Sequence, residues 1–312
     1  MRAFAIDNFG DLGSLRELPV PELGPGDILV RVHAAGVNPI DLKIRDGQKP
    51  VNVSLPHVLG QDAAGMVVRV GEAVSEFKEG DDVYGAFWLA GTFAEYVKVT
   101  VSKSAVSLKP ATLDFERAAA VPTAGLAAVA AMKAVDVQIG ETLLVVGATG
   151  GVGSYVIQLA ARRGAIVLVT ARPETEAYAR SLGASEVFDH LRGDVVASVK
   201  NAYPDGIDAV VDVVSGRDAL EHIATVLRPG GRLATTVHSA DESAMARRGG
   251  IRATNLDVFG AAGHLDVLNS AIQESALLVP VERRYALSDT AEALAIIAGG
   301  HTRGKLVLTI NP

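Results

Sequence analysis

The stretch Leu143–Ser154 reads LLVVGATGGVGS, an apolar run followed by four glycines and then by helical sequence from Ser154 to Arg163. A run of this length without polar residues is typical of a buried strand. Glycines let the backbone turn sharply and approach a phosphate, and the free N–H groups of a following helix carry partial positive charge. Strand, glycine turn and helix in this order predict a dinucleotide-binding βαβ unit.

The residues expected to hold the pyrophosphate are those of the glycine loop, namely Gly147, Ala148, Thr149, Gly150, Gly151, Val152 and Gly153. A P-loop NTPase is the main competitor, but its loop requires Gly-Lys-Ser/Thr, and no lysine precedes Ser154. A plain tight turn between strand and helix is the remaining alternative.

The end of the next strand indicates which dinucleotide is bound. An acidic residue there would accept hydrogen bonds from a ribose and mark NAD, but none occurs between Gly153 and Glu174. The strand ends instead at Thr170-Ala171-Arg172-Pro173. Because a guanidinium pairs well with a phosphate, Arg172 favours NADPH, although it also fits an ordinary solvated loop.

Around this loop, apolar strands alternate with helices. Strands are expected at Ala165–Thr170, Ile207–Val214 and Arg232–Val237, and helices at Glu174–Leu182 and Ala219–Leu227. This alternation predicts an α/β fold with a doubly wound parallel sheet. Before it, a helix is expected over Glu116–Val135.

The first third of the chain is different, with short β-rich runs between turns. Strands are expected at Ile28–Ala34, Ala64–Val70 and Ala94–Val101, and β-rich sequence returns at Lys305–Ile310. This spacing favours an antiparallel, barrel-like β domain.

Composition excludes several functions. The 312 residues carry a net charge of −7 without a Lys/Arg cluster, so nucleic acid and anionic membranes are not expected partners. Cysteine is absent, which removes disulfides, thiolate nucleophiles and Cys-ligated metals. The N-terminus lacks the apolar region of a secretory signal, so a cytoplasmic location is expected.

Several motifs, in order, resemble the quinone oxidoreductase branch of the medium-chain dehydrogenases/reductases. They are AAGVNPID at residues 34–41, LPHVLGQDAAG at 55–65, GDDVYG at 80–85, TFAEYV at 92–97, the glycine loop, LGA at 182–184 and HTRGKLVL at 301–308. The resemblance implies a GroES-like β-barrel domain of residues 1–117 and 262–312, with a Rossmann domain at 118–261. It further implies an active site in the cleft between them, and a homodimer.

The same resemblance argues against a metal. The zinc-dependent branch has a Cys where Asn38 stands, and Gly-His-Glu where Gly60-Gln61-Asp62 stands. Thiolate and imidazole ligands are therefore missing, and no metal site is expected.

The resemblance also implies the other site residues. Asn38 would reach the nicotinamide ribose, Thr123 and Phe259 the nicotinamide, Lys305 the cofactor, and His190 the 2′-phosphate. Asp41 would orient pocket groups, or cap a helix. Many relatives have a tyrosine where Lys43 stands, so Lys43 is an acid or an electrostatic clamp in the pocket, or a solvated helix lysine.

We therefore expect a zinc-independent, NADPH-dependent reductase that transfers hydride to a quinone. One alternative is reduction of the double bond of an enone, alkenal or enoyl thioester on the same scaffold. A second is an NADPH-binding sensor with incidental catalysis. Without zinc the acceptor must already be electrophilic, so alignment supplies most of the acceleration.

Overall fold

The structure is a computed structural model, and it describes residues 1–49, 51–257, 265–274, 277–300 and 302–311. The chain divides into two compact units. Unit 1 comprises Met1–Ala124 and Leu265–Pro312, and unit 2 comprises Gly125–His264. The domain borders expected from sequence lie close by, at 117/118 and 261/262.

The described strands are β1 (Arg2–Ile6), β2 (Ser14–Glu17), β3 (Asp27–Val37), β4 (His57–Val58), β5 (Asp62–Val70), β6 (Asp82–Ala86), β7 (Tyr96–Thr100), β8 (Ala105–Leu108), β9 (Thr142–Val146), β10 (Ile166–Ala171), β11 (Glu186–Asp189), β12 (Ile207–Asp212), β13 (Leu227–Thr235), β14 (Arg252–Asn255), β15 (Val281–Ala286) and β16 (Lys305–Thr309).

The described helices are α1 (Pro39–Arg45), α2 (Phe115–Ala119), α3 (Pro122–Val135), α4 (Gly151–Arg162), α5 (Pro173–Ser181), α6 (Val195–Ala202), α7 (Arg217–Ile223), α8 (Glu242–Arg247), α9 (Leu265–Gln273) and α10 (Thr290–Gly299). Short 3₁₀ turns occur at Val101–Lys103, Ala224–Val226 and Leu287–Asp289. No helix among the described residues is both long enough and apolar enough to cross a membrane.

Unit 1 is built on a mostly antiparallel sheet in the order β15-β16-β3-β5-β6-β8, with β7 also paired to β3. A smaller sheet has the order β2-β1-β4. The core between these elements is apolar and includes Val30, Phe87 and Phe93, each fully buried. Strand β16 comes from the end of the chain and pairs antiparallel with β3, with Leu306 opposite Val37. This register brings the start of β16 to the turn between β3 and α1.

Unit 2 is a parallel sheet in the order β11-β10-β9-β12-β13-β14. All five residues of β9 are buried, as expected for a strand covered on both faces. From β9 the chain continues to β10 on one side, whereas β12 lies on the other side. Loops diverge at such a switch point and leave a crevice at the carboxyl ends of the strands. The predicted α/β class is confirmed.

Two predicted helices are shorter in the structure. The helix expected over Glu116–Val135 is interrupted: α2 ends at Ala119, and α3 begins at Pro122. Proline disfavours helical geometry in the residue before it and suits the first turn of a new helix, which explains the break. The helix expected over Ala219–Leu227 ends at Ile223, because a 3₁₀ turn follows and Leu227 already opens β13.

Candidate functional site: a glycine loop and a buried charge cluster

The glycine loop connects β9 to α4, and its glycines have separate steric roles. Gly147 has a φ of 80°, which a side chain would strain. At Gly153 an added Cβ would lie 2.3 Å from the carbonyl oxygen of Gly147, so only glycine fits there. The loop therefore folds back tightly on itself and brings its backbone N–H groups to the start of α4.

Gly150, the N-cap of α4, leaves open space in front of these groups. A Cβ added at Gly150 would meet only the oxygen of Gly147, at 3.7 Å. The first N–H groups of a helix have no partner within the helix and attract anions. The loop thus has both the donors and the room that a pyrophosphate requires.

An arginine and a histidine follow neighbouring strands of unit 2. Arg172 comes directly after β10 and caps α5, and His190 comes directly after β11. Ala171 is in register with Asp189, so Arg172 and His190 each directly follow a pair of residues at the usual strand spacing of about 4.8 Å. No carboxylate of the described residues lies within ion-pairing distance of Arg172.

Asp212, which sequence reasoning passed over, supports the loop from β12. Its Oδ1 accepts hydrogen bonds from the backbone N–H groups of Val214 (2.9 Å) and Ser215 (2.8 Å). A Cβ on Gly147 would lie 2.8 Å from Val214, so the Asp212 turn packs closely against the glycine loop. An acidic residue at the end of an apolar strand was the available signal.

A second group of polar side chains lies inside unit 1. Asn38, the N-cap of α1, donates from Nδ2 to Asp62 Oδ2 (3.0 Å) and to the carbonyl oxygen of Gly36 (3.4 Å). Lys305 donates to Asn38 Oδ1 and to the carbonyl oxygen of Val37 (2.8 Å). The amide of Asn38 is therefore engaged within unit 1 at both ends.

Asp62 is the centre of this cluster and is completely buried. It accepts from the hydroxyl of Thr123 (2.5 Å), from the backbone N–H of Thr123 (3.1 Å) and from Asn38, and it lies 3.8 Å from the ammonium of Lys305. Burial raises the pKa of Asp62, whereas Lys305, Thr123 and Asn38 oppose that rise. Because four groups stabilise its charge, we assign the anionic form to Asp62.

Asp41 lies beside this pair, in the first turn of α1. Its Oδ2 accepts from the backbone N–H of Asn38 (2.8 Å), so it supports the helix start without being the N-cap itself. Burial raises the pKa of Asp41 to about 8, and Asp62 adds to the rise while Lys305 opposes it. Burial also lowers the pKa of Lys305, against the attraction of Asp62 and Asp41.

The other expected site residues are not part of this cluster. Lys43 is exposed on α1. Phe259 lies outside the described residues. The structure thus gathers Asn38, Asp41, Thr123 and Lys305 within unit 1, and the glycine loop, Arg172 and His190 at one edge of the sheet in unit 2.

Comparisons with known proteins agree with this architecture. The alcohol dehydrogenase GroES-like domain model matches residues 24–110, and the zinc-binding dehydrogenase model matches residues 182–308. A solved quinone oxidoreductase from Coxiella burnetii is 31% identical over 99% of both chains, with a TM-score of 0.91. The chain belongs to the quinone oxidoreductase family of medium-chain dehydrogenases/reductases.

Two further relatives within this superfamily show its range. The Escherichia coli quinone oxidoreductase, solved with NADPH, is 26% identical over 99% of this chain and 100% of its own, with a TM-score of 0.90. The chloroplastic NADPH-dependent alkenal/one oxidoreductase of Arabidopsis thaliana is 31% identical over 99% of this chain and 79% of its own length. The chain is accordingly an NAD(P)H-dependent oxidoreductase.

In this family member, Gln61 and Asp62 lie in the cluster although sequence reasoning did not propose them as site residues. Their signal was the GQD motif, which stands where zinc-dependent relatives have Gly-His-Glu. Among the described residues, no group of three or more His, Asp or Glu side chains is arranged to hold a metal ion.

Proposed function

We propose that this quinone oxidoreductase family member is an NADPH-dependent reductase that passes hydride to a quinone-type acceptor without zinc. The observation that carries the cofactor choice is the guanidinium of Arg172, which follows β10 with no ion-pair partner among the described residues. At this position a 2′-phosphate would supply the missing anion.

The glycine loop would hold the pyrophosphate on the N–H groups of Gly151, Val152 and Gly153, and Gly150 would leave room for its oxygens. Arg172 and His190 would bind the 2′-phosphate from adjacent strands. When bound, the cofactor supplies the hydride. The protein positions the cofactor and binds its charged phosphate groups.

The chemistry of unit 1 fits an acceptor that needs no metal. Asn38 and Gln61 are amides where thiolate and imidazole ligands would be required, and amides are poor zinc ligands. The cation at this point of unit 1 is the ammonium of Lys305, which is buried and held by Asn38, Val37 and Asp62. A quinone is electrophilic without activation by a metal, whereas an ordinary ketone is not.

The alternative acceptor is the double bond of an enone or alkenal. The Arabidopsis relative, named for NADPH-dependent alkenal/one reduction, supports it. An enone is also electrophilic at its β-carbon, so the same cofactor geometry serves both reactions.

The test is oxidation of NADPH and of NADH by the purified protein, with a chelator present. The acceptors are a panel of quinones, enones and an enoyl thioester. We expect chelator-insensitive NADPH loss with quinones. Preference for NADH would overturn the cofactor assignment, and turnover on enones alone would transfer the proposal to double-bond reduction. Saturable NADPH binding without turnover on any acceptor would instead identify a sensor.

A homodimer and a cytoplasmic location are part of the same proposal. β14 is an edge strand of the parallel sheet in unit 2, and an edge strand offers unpaired backbone groups to a second copy. Light scattering tests the dimer, and fractionation of cells that express the protein tests the location.

A further inference from the structure

Leu89 is held in an unusual backbone conformation, with a φ of 59°. Only Asp136 and His238 share a positive φ among the described non-glycine residues. Asp and His tolerate this region better than leucine, which has no polar group to compensate. A strained conformation of this kind persists only where surrounding contacts enforce it.

Gln61 provides that enforcement. Its side-chain Oε1 accepts the backbone N–H of Leu89 at 2.8 Å, and its own carbonyl oxygen accepts the backbone N–H of Phe87 at 2.7 Å. Gln61 is only 1% exposed, so water does not compete for these bonds. Gln61 thus holds the turn after β6 by one hydrogen bond on each side of Trp88. We call this pair of hydrogen bonds the Gln61 clip.

Trp88, the single tryptophan of the chain, lies between the two clipped residues. It is partly buried and packs against the apolar core of unit 1, so part of its surface stays open. The segment Ala86–Ala94 contains no charged residue. An uncharged turn that presents part of a large aromatic ring suits a flat, neutral, conjugated ligand.

We propose that Gln61 is the positioning residue for Trp88, and that the indole of Trp88 is the surface on which the ring of a quinone-type acceptor stacks. The second part rests on the proposed function. The first part does not, because it concerns the turn alone. Gln61 touches neither hydride nor acceptor in this scheme. It acts on Trp88 through its bond to Leu89, and its side chain also faces Asp41.

The single tryptophan makes the proposal measurable without turnover. Gln61→Met keeps the length of the side chain but removes the acceptor for Leu89. Thr92→Val is the matched control, because Thr92 is buried in the same segment and its hydroxyl has no hydrogen-bond partner among the described residues. We expect Gln61→Met to shift the Trp88 emission and increase its quenching by acrylamide, and Thr92→Val to leave both unchanged.

A rescue separates this role from general loss of structure. Glycine adopts a positive φ freely, so Gln61→Met combined with Leu89→Gly should recover the emission of the parent protein. Failure of the rescue, or an emission unchanged in Gln61→Met, would show that the clip does not position Trp88.

The second part of the proposal, stacking of a quinone ring on Trp88, is tested with 1,4-naphthoquinone as the probe. Without cofactor, the quinone should quench Trp88 in a saturable manner, beyond the quenching of free N-acetyltryptophanamide. Trp88→Leu should raise KM for this quinone about 3- to 10-fold with kcat nearly constant, and Trp88→Phe less than 2-fold. An unchanged KM in Trp88→Leu, or non-saturable quenching, would overturn stacking. If no acceptor is turned over, the proposed function fails, yet the quenching still decides whether Trp88 binds the ring.

Discussion

The ammonium of Lys305 lies 3.8 Å from Asp62 Oδ2, and both side chains are buried. Lys305 stands at the start of the last strand of unit 1, and Asp62 at the start of β5. The pair therefore joins the end of the chain to its first third through one charge interaction inside the protein. Asn38 bridges the two residues, since its Nδ2 donates to Asp62 and its Oδ1 accepts from Lys305.

Replacing Lys305 by methionine should destabilise unit 1 strongly. The change would leave Asp62 buried without its cation, and removal of one partner from a buried ion pair typically costs about 3–5 kcal/mol. Denaturant unfolding followed by circular dichroism measures the loss. Lys103→Met, at an exposed lysine of the same unit, is the control. In Lys305→Met with Asp62→Asn, the loss should be smaller than the sum of the single losses; simple additivity would show that the two charges do not interact.

Asp41 should make stability depend on pH. Burial raises its pKa to about 8 from an ordinary 3.8, so the native protein keeps a proton that the unfolded chain has released. This contribution is fully present below about pH 4 and is lost as pH rises through about 8. The groups that face Asp41 are Asp62, Lys305, Gln61 and the Asn38 N–H.

Asp41→Asn should therefore gain stability relative to the parent protein as pH increases from 5 to 9. The relative gain should exceed about 1.4 kcal/mol, the equivalent of one pKa unit. Unfolding curves at several pH values measure it, with exposed Glu79→Gln as the control. Parallel pH profiles for Asp41→Asn and the parent protein would argue that Asp41 is ionised throughout.

Arg172→Ala should weaken NADPH selectively. A charge-assisted hydrogen bond contributes about 1.5–3 kcal/mol, so KM for NADPH should rise roughly 10- to 100-fold while KM for NADH changes little. Arg180→Ala is the matched control, because Arg180 lies on the same helix and is paired with Glu176. An equal loss with both cofactors would remove the 2′-phosphate role from Arg172.

Two glycine substitutions should separate folding from cofactor binding. Gly150→Ala meets only one atom, at 3.7 Å, so the protein should fold normally, but its methyl group occupies the proposed phosphate space. We expect its dissociation constant for NADPH, measured by calorimetry, to rise at least about 10-fold. Gly193→Ala, with no atom within 4 Å of the new methyl, is the control.

Gly153→Ala should instead distort the loop, because its methyl would lie 2.3 Å from the carbonyl oxygen of Gly147. A lowered unfolding temperature together with lost binding is expected. If Gly150→Ala bound NADPH as tightly as the parent protein, the phosphate would not lie at this helix start.

Local patterns predicted much of unit 2. The glycine loop, the alternating strands and the end of β10 just before Arg172 follow from residues that are neighbours in sequence, and periodicity records such order directly. Pro122 was a visible signal for the break between α2 and α3, but the continuous alanine-rich pattern outweighed it.

The cluster in unit 1 depends on contacts between distant parts of the chain. Lys305 was expected near the cofactor, which stays a prediction, but its hydrogen bonds to Val37 and Asn38 were not foreseen. The register of β16 on β3 determines this placement, and register is invisible in the sequence of either strand alone. The clip of Gln61 on Leu89 was likewise unpredictable, because leucine gives no sign of a positive φ.

The register of β16 also bears on synthesis at the ribosome. All strands of unit 2 are made before β16, so that sheet can assemble while the chain is still growing. The sheet of unit 1 must wait, because β16 lies between β3 and β15 and arrives last. Until then the end of β3, from Ala34 to Val37, lacks its β16 partner, and Asp62 has no lysine beside it. A truncated or stalled chain would therefore have an incomplete sheet in unit 1 and a complete sheet in unit 2. Chaperones and proteases recognise such partly folded states.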